Sequence, residues 1–389
     1  MQLECDIAAL DPLTQRLLQA ASAYESPSLL INLAVVEAKY RALRDALPEA
    51  AIFYAVKANP HPRLVERLHR LGCAFDIASP GELELCRSIA GPGARLSYGN
   101  PIKKAAHIAE AAASGVDIFS VDSRQELLKV AAAAPGAEVT CRLAVSGTGA
   151  EWPLTHKFGC SADMAVALLC EAPGLGLRPL GVSFHVGSQQ TDPRAYAHAV
   201  GHAAQVFKAA AKRGVELEVV NLGGGLPAAY SHATPPLGAY ADAIRQALRQ
   251  AFGANLPRLF IEPGRYLSAD AGLMITEVVL SCERPHERVA RFVYLDAGVW
   301  AGLDECMGER IKYRAFIADA SARVLAPAVL AGPTCDSADI IYRHEVMLPA
   351  DLAPGERVLL LSAGAYTWPC STVGFNGFPP LAVQVLEDG

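Results

Sequence analysis

The stretch IFYAVKANPHPRLVERLHRL, residues 52–71, decides the fold. It begins with a short, unbroken apolar run, Ile52–Val56, which is typical of a strand buried in a parallel sheet. Between Pro62 and Leu71, apolar residues alternate with Arg, Glu and His at helical spacing, which predicts an amphipathic helix. The stretch is therefore one β-strand followed by one α-helix, and Lys57 lies at the end of the strand.

The same alternation continues from about residue 28 to residue 270. The candidate strands are Leu29–Leu33, Ile52–Val56, Ala74–Asp76, Arg95–Tyr98, Ile118–Val121, Glu138–Leu143, Gly181–His185, Glu218–Asn221 and Arg258–Ile261. Eight or so units over roughly 240 residues match a (β/α)₈ barrel, whose typical size is about 250 residues. The alternative, a doubly wound sheet, would carry a phosphate-binding glycine fingerprint after its first strand, and the segment after Leu33 has none.

After residue 270 the pattern changes to short β-branched runs separated by Gly and Pro, which predicts an antiparallel β domain. These runs are Met274–Leu280, Val289–Asp296, Ala328–Leu330, Arg357–Leu361 and Leu381–Leu386. Near the start, Asp11 followed by Pro12 predicts the N-cap and first turn of a helix reaching about Tyr24. We therefore predict an N-terminal segment (1–30) packing with the β domain, a barrel (31–270) and a C-terminal β domain (271–389).

Composition excludes several classes of protein. The chain has 389 residues with 34 Lys and Arg against 40 Asp and Glu, a formal net charge of −6, and it has no basic run. Nucleic acid and anionic membranes are therefore not expected as partners, because neutralising phosphate requires clustered Lys and Arg. The acidic start and the lack of any stretch near ~18 apolar residues predict a cytoplasmic protein. The ten cysteines form no C-x-x-C pair, so we expect neither a metal site nor a disulfide framework.

Three motifs place chemical groups at the ends of predicted barrel strands, where such barrels carry their active sites. Lys57 is one, since a desolvated Lys with a lowered pKa forms an imine with a carbonyl cofactor. Gly223–Gly225 is a turn whose backbone can approach a phosphate, and Glu262 lies beside a Gly-Arg turn ending at Arg265. Each also has a structural explanation: a lysine extending into solvent, an ordinary turn, and a surface ion pair.

Three further motifs are less specific. His185 ends a predicted strand, where a structural histidine is the commoner explanation, although its ring could stack on an aromatic cofactor. Cys335 and Asp336 share a Gly-Pro turn, a better setting for a reactive thiol than a buried core position. Near the C-terminus, Tyr366 and Phe375 lie in GAYT and FNGF, which simple aromatic packing would also explain.

Taken in order, the motifs AVKAN, FDIAS, SFHVGS, GGG, EPGRY, GPTCD, GAYT and FNGF span most of the chain. In this order they resemble the pyridoxal-phosphate-dependent decarboxylases of basic amino acids with the alanine racemase fold (fold type III). The sequence is most similar to the ornithine and lysine decarboxylases of that family. The resemblance implies a cofactor, pyridoxal 5'-phosphate, and a reaction that converts an L-basic amino acid, ornithine or lysine, to the diamine and carbon dioxide.

The resemblance also implies roles for individual residues. Lys57 is bonded to the cofactor, His185 stacks on its ring, and Glu262 keeps the pyridine nitrogen protonated so that the cofactor accepts electrons. The implied phosphate ligands are Ser188, Gly223, Gly224, Gly225, Gly264, Arg265 and Tyr366. Asp76, Glu82 and Arg142 match family positions near the cofactor, with Glu82 beside the bond to Lys57.

Around the substrate, the resemblance implies a homodimer whose subunits pair head to tail and share active sites. Cys335 of one subunit supplies the proton after carbon dioxide leaves, and Asp336 contacts the distal amine. Glu309 falls by count where animal ornithine decarboxylases carry an Asp for that amine, with Asp304 and Glu305 as alternatives. Tyr366 and Phe375 complete the expected substrate pocket, in which the sequence TVGF differs from the family's plain TFNGF.

Several alternatives stay open at this stage. A diaminopimelate decarboxylase shares the cofactor residues, but its cysteine turn typically contains C-E-S where this chain has C-D-S. An amino acid racemase of the same fold uses a Tyr opposite the Lys, and the Cys335 turn gives that little support. A decarboxylase of a modified or carrier-bound diamino acid is a further alternative. A catalytically dead regulator would be expected to lose Lys57, Glu262 or Arg265, and all three are present.

Overall fold

The computed structural model describes residues 1–4, 6–153, 157–289, 291–344 and 346–386. Within these ranges the strands are β1 (Gln2–Glu4), β2 (Ser28–Asn32), β3 (Ala50–Ala55), β4 (Ala74–Ile77), β5 (Leu96–Tyr98), β6 (Ile118–Val121), β7 (Glu138–Arg142), β8 (Ala150–Trp152), β9 (Arg178–Ser183), β10 (Ser188–Gln190), β11 (Val219–Asn221), β12 (Arg258–Ile261), β13 (Gly272–Glu283), β14 (Arg291–Leu295), β15 (Arg314–Phe316), β16 (Leu325–Pro327), β17 (Val329–Ala331), β18 (Ile340–Tyr342), β19 (Met347–Pro349), β20 (Arg357–Leu361) and β21 (Ala382–Leu386). The α-helices are α1 (Pro12–Ala20), α2 (Leu33–Ala46), α3 (Pro62–Arg70), α4 (Pro80–Ala90), α5 (Ala105–Ala113), α6 (Arg124–Ala133), α7 (Ala162–Glu171), α8 (Arg194–Ala211), α9 (Leu237–Phe252) and α10 (Arg265–Ser268).

The chain forms two compact units. The barrel unit comprises Lys39–Pro227 and Pro235–Gly264, and the sheet unit comprises Met1–Ala38, Ala228–Thr234 and Arg265–Gly389. Among the described residues, no helix is both long and apolar enough to cross a membrane.

The barrel unit is a closed ring of eight parallel strands in the order β11-β12-β3-β4-β5-β6-β7-β9. The predicted (β/α)₈ barrel is therefore confirmed. Its interior is filled by side chains from several strands, with the rings of Phe53 and Phe260 4.9 Å apart at their centroids. Two strands, Ile118–Val121 and Arg258–Ile261, match the prediction residue for residue.

The other predicted strands differ from the structure at one or both ends, and two of these differences affect the fold or the site. Leu29–Leu33 was placed in the barrel pattern, but the observed strand β2 pairs with β13 and β21 in the sheet unit. Its apolar run is as buried as a barrel strand, so hydrophobicity alone does not reveal which sheet it joins. Strand β9 ends at Ser183 rather than His185, which leaves His185 in the loop beyond the strand.

The sheet unit contains a nine-stranded sheet in the order β1-β15-β20-β13-β14-β17-β18, with β2 added to β13 and β21 to β2. The predicted β domain is confirmed as β structure, but its sheet is mixed rather than antiparallel. Pairs β1–β15, β14–β17 and β2–β21 are parallel, which is possible because their members are distant in the chain and are not joined by hairpins. The predicted strand Val289–Asp296 includes Ala290, which lies outside the described residues; the described strand is Arg291–Leu295.

The N-terminal helix begins as predicted. Asp11 caps α1, its Oδ1 accepting hydrogen bonds from the backbone N–H groups of Leu13 and Thr14 at 3.1 Å each. The helix ends at Ala20, earlier than the predicted Tyr24, and a single 3₁₀ turn follows. Leu17 lies in the core of the sheet unit with Leu30, Leu273 and Leu361, among others.

Candidate active site

Lys57 and a group of carboxylates lie together at the carboxyl end of the barrel strands. Lys57 is in a short 3₁₀ turn, Val56–Ala58, directly after β3, and its side chain is 46% exposed. Its Nζ atom is 3.8 Å from Oδ2 of Asp76, which lies in the buried part of β4. This places a lysine amine at the mouth of the barrel, accessible to a ligand and next to a buried acid.

Asp76 is the most perturbed acid of this group. Burial, together with the negative charge of Glu262, raises its pKa well above the ordinary value, and the charge of Lys57 opposes the shift. Burial also raises the pKa of Glu82, whose Oε2 accepts a 2.7 Å hydrogen bond from the backbone of Ala78 at the start of α4. Among the described residues, Oδ1 of Asp76 is buried without a hydrogen-bond partner, so it can accept a donor from a bound molecule.

Glu262 follows β12 and is held by Asn221 at the end of the adjacent strand, β11. Asn221 Nδ2 donates to Glu262 Oε1 at 2.5 Å, and Asn221 Oδ1 accepts from the backbone of Gly223 at 3.0 Å. One side chain therefore fixes both the carboxylate and the start of the glycine turn. Sequence reasoning gave Asn221 no role, although its position between a strand and GGG was an available signal.

The glycine turn packs directly against His185. A Cβ atom at Gly224 would lie 2.9 Å from His185 Nε2 and 2.9 Å from the backbone oxygen of Glu262, so only glycine fits there. Gly223 and Gly225 adopt φ values of +62° and +120°, which favour glycine as well. The Nδ1 atom of His185 accepts from Gly187 N at 3.0 Å, which orients the ring.

Arg142 and Ser188 complete the predicted group in the barrel unit. Arg142 ends β7, with its guanidinium 5.3 Å from the centroid of the Phe158 ring. Burial lowers the pKa of Arg142, and the nearby charges of Glu262, Asp122 and Asp76 oppose the shift. Ser188 is buried and begins β10, where it pairs with Trp152 of the antiparallel strand β8.

In the sheet unit, Arg265 and Tyr366 form a second group. Arg265 is buried and donates to Glu305 Oε1 at 2.6 Å and to the hydroxyl of Tyr230 at 2.8 Å. Its guanidinium lies 4.8 Å from the centroid of the Tyr366 ring. Glu305, one of the acids considered for a distal amine, is therefore paired with Arg265, a partner that spacing in the sequence does not reveal.

The other two acids considered for the distal amine differ in their surroundings. Glu309 accepts hydrogen bonds from the backbone N–H groups of Arg343 and His344 at 2.8 and 2.9 Å, and its Oε2 is 3.6 Å from Lys312 Nζ. Although partial burial acts against it, these hydrogen bonds hold the pKa of Glu309 below its ordinary value. For Asp304, burial and the charge of Glu305 raise the pKa.

Cys335 and Asp336 lie in a surface turn of the sheet unit. Cys335 is exposed, and its backbone N–H donates to Asn376 Oδ1 at 3.1 Å. Asp336 Oδ1 accepts from Ala338 N at 2.9 Å, and within the described part of the chain its Oδ2 accepts no hydrogen bond. Phe375 is partly exposed beside Trp300, the two ring centroids 5.2 Å apart. Asn376, inside the FNGF motif, is a second contact that sequence reasoning missed.

A family model described as the pyridoxal binding domain of pyridoxal-dependent decarboxylases matches residues 33–269. The chain belongs to the pyridoxal-dependent decarboxylases. It is 34% identical over 364 residues to the lysine/ornithine decarboxylase of Selenomonas ruminantium, covering 93% of this chain and 90% of the relative. This decarboxylase therefore acts as a carboxy-lyase of basic amino acids, with pyridoxal phosphate as its cofactor.

Two further relatives bear on its function. A crystal structure of the lysine/ornithine decarboxylase of Vibrio vulnificus, complexed with cadaverine, has a TM-score of 0.86 at 32% identity and covers 98% of this chain and 100% of the other. Antizyme inhibitor 2 of Xenopus laevis is 32% identical over 362 residues, 89% of this chain and 78% of the relative. That relative is named for inhibition of another protein rather than for an enzymatic reaction.

Proposed function

We propose that this decarboxylase acts on L-ornithine or L-lysine, releasing carbon dioxide and the corresponding diamine. The observation that carries the proposal is the group at the carboxyl end of the barrel, where Lys57 lies beside a buried acid and Asn221 joins Glu262 to the glycine turn. The chain also retains the Cys335 turn. Relatives named lysine/ornithine decarboxylase and a related structure containing cadaverine support the choice of substrate.

The residues at the barrel mouth fit the cofactor. Lys57 offers an amine for its carbonyl carbon, Gly224 places backbone without a side chain beside His185, and Asp76 Oδ1 is an acceptor without a described donor. When bound, pyridoxal phosphate supplies the electron sink that allows the bond to the carboxyl group to break. The proposed phosphate ligands are Ser188, Gly223, Gly224, Gly225, Gly264, Arg265 and Tyr366.

Glu262 and His185 have proposed roles on either side of the cofactor ring. Asn221 holds the Glu262 carboxylate in one orientation, so that its oxygen can keep a proton on the pyridine nitrogen. The hydrogen bond from Gly187 holds His185 at a fixed angle, as a stacking surface requires. Arg142, Asp76 and Glu82 balance the charge around Lys57, and we place Glu82 beside its bond to the cofactor.

Asp336 is the proposed principal partner of the substrate's distal ammonium. A buried ammonium without a charged partner costs several kcal/mol, so a basic substrate needs a carboxylate at this end. Two backbone N–H groups bind Glu309, and Glu305 is buried beside Arg265. Asp336, by contrast, is only partly buried and lies next to Cys335 in the surface turn. Tyr366 and Phe375 are the proposed walls of the pocket.

Three experiments test this function. Borohydride reduction followed by peptide mapping is expected to place the cofactor on Lys57, and a label on another lysine would refute the assignment. In an end-point assay over L-ornithine, L-lysine, L-arginine and diaminopimelate, we expect amine and carbon dioxide from ornithine or lysine. Asp336→Ala is expected to raise KM steeply, while Asp351→Ala, at an exposed carboxylate of the same unit, leaves KM unchanged. A best substrate with a distal carboxylate would favour the diaminopimelate alternative.

A regulatory role is the second candidate, favoured by the similarity to antizyme inhibitor 2. It predicts a protein that forms no product from any amino acid of the panel even when Lys57 carries the cofactor. We also propose a homodimer with shared sites, which complementation between variant subunits tests. We further propose a cytoplasmic location, which cell fractionation with an antibody tests.

A further inference from the structure

Asp339 lies three residues after Asp336, just before β18, and is almost completely buried, with 2% of its surface exposed. Its carboxylate accepts three hydrogen bonds. Oδ1 accepts from Val299 N at 2.8 Å, and Oδ2 accepts from Thr334 N at 3.1 Å and from Thr334 Oγ1 at 2.7 Å. A single buried carboxylate therefore joins two segments of the sheet unit that are distant in the sequence.

Two glycines make room for this carboxylate. A Cβ atom built on Gly298 would lie 2.1 Å from Asp339 Oδ1, and one built on Gly332 would lie 2.3 Å from the same atom. Real Cβ atoms do not approach so closely, so both segments come as near to Asp339 as backbone allows. In addition, Gly332 N donates to the backbone oxygen of Asp339 at 2.9 Å.

The two segments contain the groups assigned to the substrate end of the reaction. One begins at Gly298 and leads into the acidic stretch Asp304–Glu309. The other is the turn Gly332–Asp336, in which Cys335 directly follows Thr334, the residue that donates two hydrogen bonds to Asp339. On its other side the turn is held by the Asn376 contact with Cys335 N. The exposed thiol is thus carried on a turn whose backbone is fixed from both sides.

We propose that Asp339 is a positioning residue for Cys335: its carboxylate holds the thiol turn in place against the Gly298 segment. The inference rests on the proposed function and on the role that the family resemblance implies for Cys335, which is to deliver a proton to the α-carbon after carbon dioxide leaves. The position of the thiol decides which carbon receives that proton. Delivery to the α-carbon yields the amine. Delivery to the cofactor carbon, followed by hydrolysis, yields an aldehyde and pyridoxamine phosphate.

The main variant is Asp339→Asn. An amide keeps the size of the side chain but has only one acceptor oxygen, so its NH₂ group must face either Val299 N–H or the Thr334 donors. We expect hydrogen exchange of the holoenzyme, read by mass spectrometry, to become about tenfold or more faster at the Thr334–Cys335 amides. We also expect a measurable fraction of single turnovers to end as aldehyde and pyridoxamine phosphate. Asp351→Asn is the matched control and should change neither measurement.

Three comparisons make the result decisive. Thr334→Val removes only the hydroxyl donor and should divert a smaller fraction, whereas Thr334→Ser keeps the hydroxyl and should restore amine formation. These milder variants carry the test if Asp339→Asn does not fold. Because Asp339 acts through the thiol, the double variant with Cys335→Ala should divert no more turnovers than Cys335→Ala alone.

The outcomes separate the inference from the function on which it rests. If Cys335→Ala diverts turnovers while Asp339→Asn and Thr334→Val form only amine, the positioning role is refuted and the proposed function stands. Greater diversion in the double variant than in Cys335→Ala also refutes it, because Asp339 would then act independently of the thiol. If Cys335→Ala forms only amine at an unchanged rate, the thiol has no part in the reaction and the positioning role is refuted, although decarboxylation to the amine stands. If the wild type forms no amine from any basic amino acid, the proposed function itself fails.

Discussion

Asn221 illustrates how one uncharged side chain can set the electrostatics of the barrel site. Its amide nitrogen donates to Glu262 and its amide oxygen accepts from the glycine turn, so a carboxylate and the turn proposed to bind phosphate share one anchor. A hydrogen bond to a carboxylate is worth more than one between neutral groups. The orientation of Glu262 therefore depends on a residue that does not itself touch the reacting atoms.

At the residue scale we predict that Asn221→Ala weakens the site without unfolding the barrel. Losing a hydrogen bond to a charged group costs about 1.5–3 kcal/mol, so kcat/KM should fall roughly 10- to 100-fold and cofactor affinity should fall with it. Cofactor affinity is measured by absorbance titration of the protein freed of pyridoxal phosphate. Asn255→Ala, at an exposed loop position, is the control. Unchanged affinity and activity in Asn221→Ala would remove the residue from the site.

At the element scale, the loop after β5 is anchored to helix α6 by a buried ion pair. The Lys103 side chain is fully buried; its Nζ donates to the backbone oxygens of Asn100 and Ser120 at 2.8 and 2.7 Å and lies 3.1 Å from Glu126 Oε1. Lys129 approaches the other oxygen of Glu126 at 2.7 Å. This fixes a loop at the carboxyl end of the barrel, on the same side as Lys57.

The pH dependence of stability should report this pair. Burial lowers the pKa of Lys103 to about 8, from an ordinary value of 10.5, although the charge of Glu126 opposes the shift. Between these values the unfolded chain binds more protons at this site than the folded one, so this contribution to stability rises with pH. The gain is complete above the unfolded pKa and is lost as pH falls through about 8.

We therefore expect the stability advantage of the wild type over Lys103→Met to increase by about 3 kcal/mol between pH 7 and pH 11. Urea unfolding at several pH values measures it. Lys104→Met, at the adjacent exposed lysine, should show no such increase. A pH-independent difference for Lys103→Met would mean that Lys103 is not desolvated in the folded protein.

At the scale of the whole molecule, the proposed homodimer connects the exposed Cys335 turn of one subunit with Lys57 of its partner. A two-fold dimer brings each such pair together twice, so every active site needs both chains. The predicted division into residues 1–30, 31–270 and 271–389 stays a prediction at this scale, as does the shared site.

Complementation tests the shared site. Lys57→Ala and Cys335→Ala are each expected to be inactive or severely impaired in amine formation. After subunit exchange at equal amounts, half of the dimers are mixed and each has one intact site, so activity should recover to about a quarter of the wild type. A mixture of Lys57→Ala with Glu262→Gln, two changes in the barrel unit, should not recover. No recovery in the first mixture despite exchange would show that each site is built from one chain.

The amino-acid sequence by itself determined the local elements and the chemical inventory of this protein. Apolar runs placed the barrel strands within a few residues, Asp11 and Pro12 placed the start of α1, and the ordered motifs indicated the family and its cofactor, because these depend on neighbours within a strand or turn. Only the tertiary structure decided that β2 joins the sheet unit, that Glu305 pairs with Arg265, and that Asp339 joins Gly298 to Gly332. Such partners are distant along the chain, and which carboxylate meets which donor is settled only when folding closes the long loops between them.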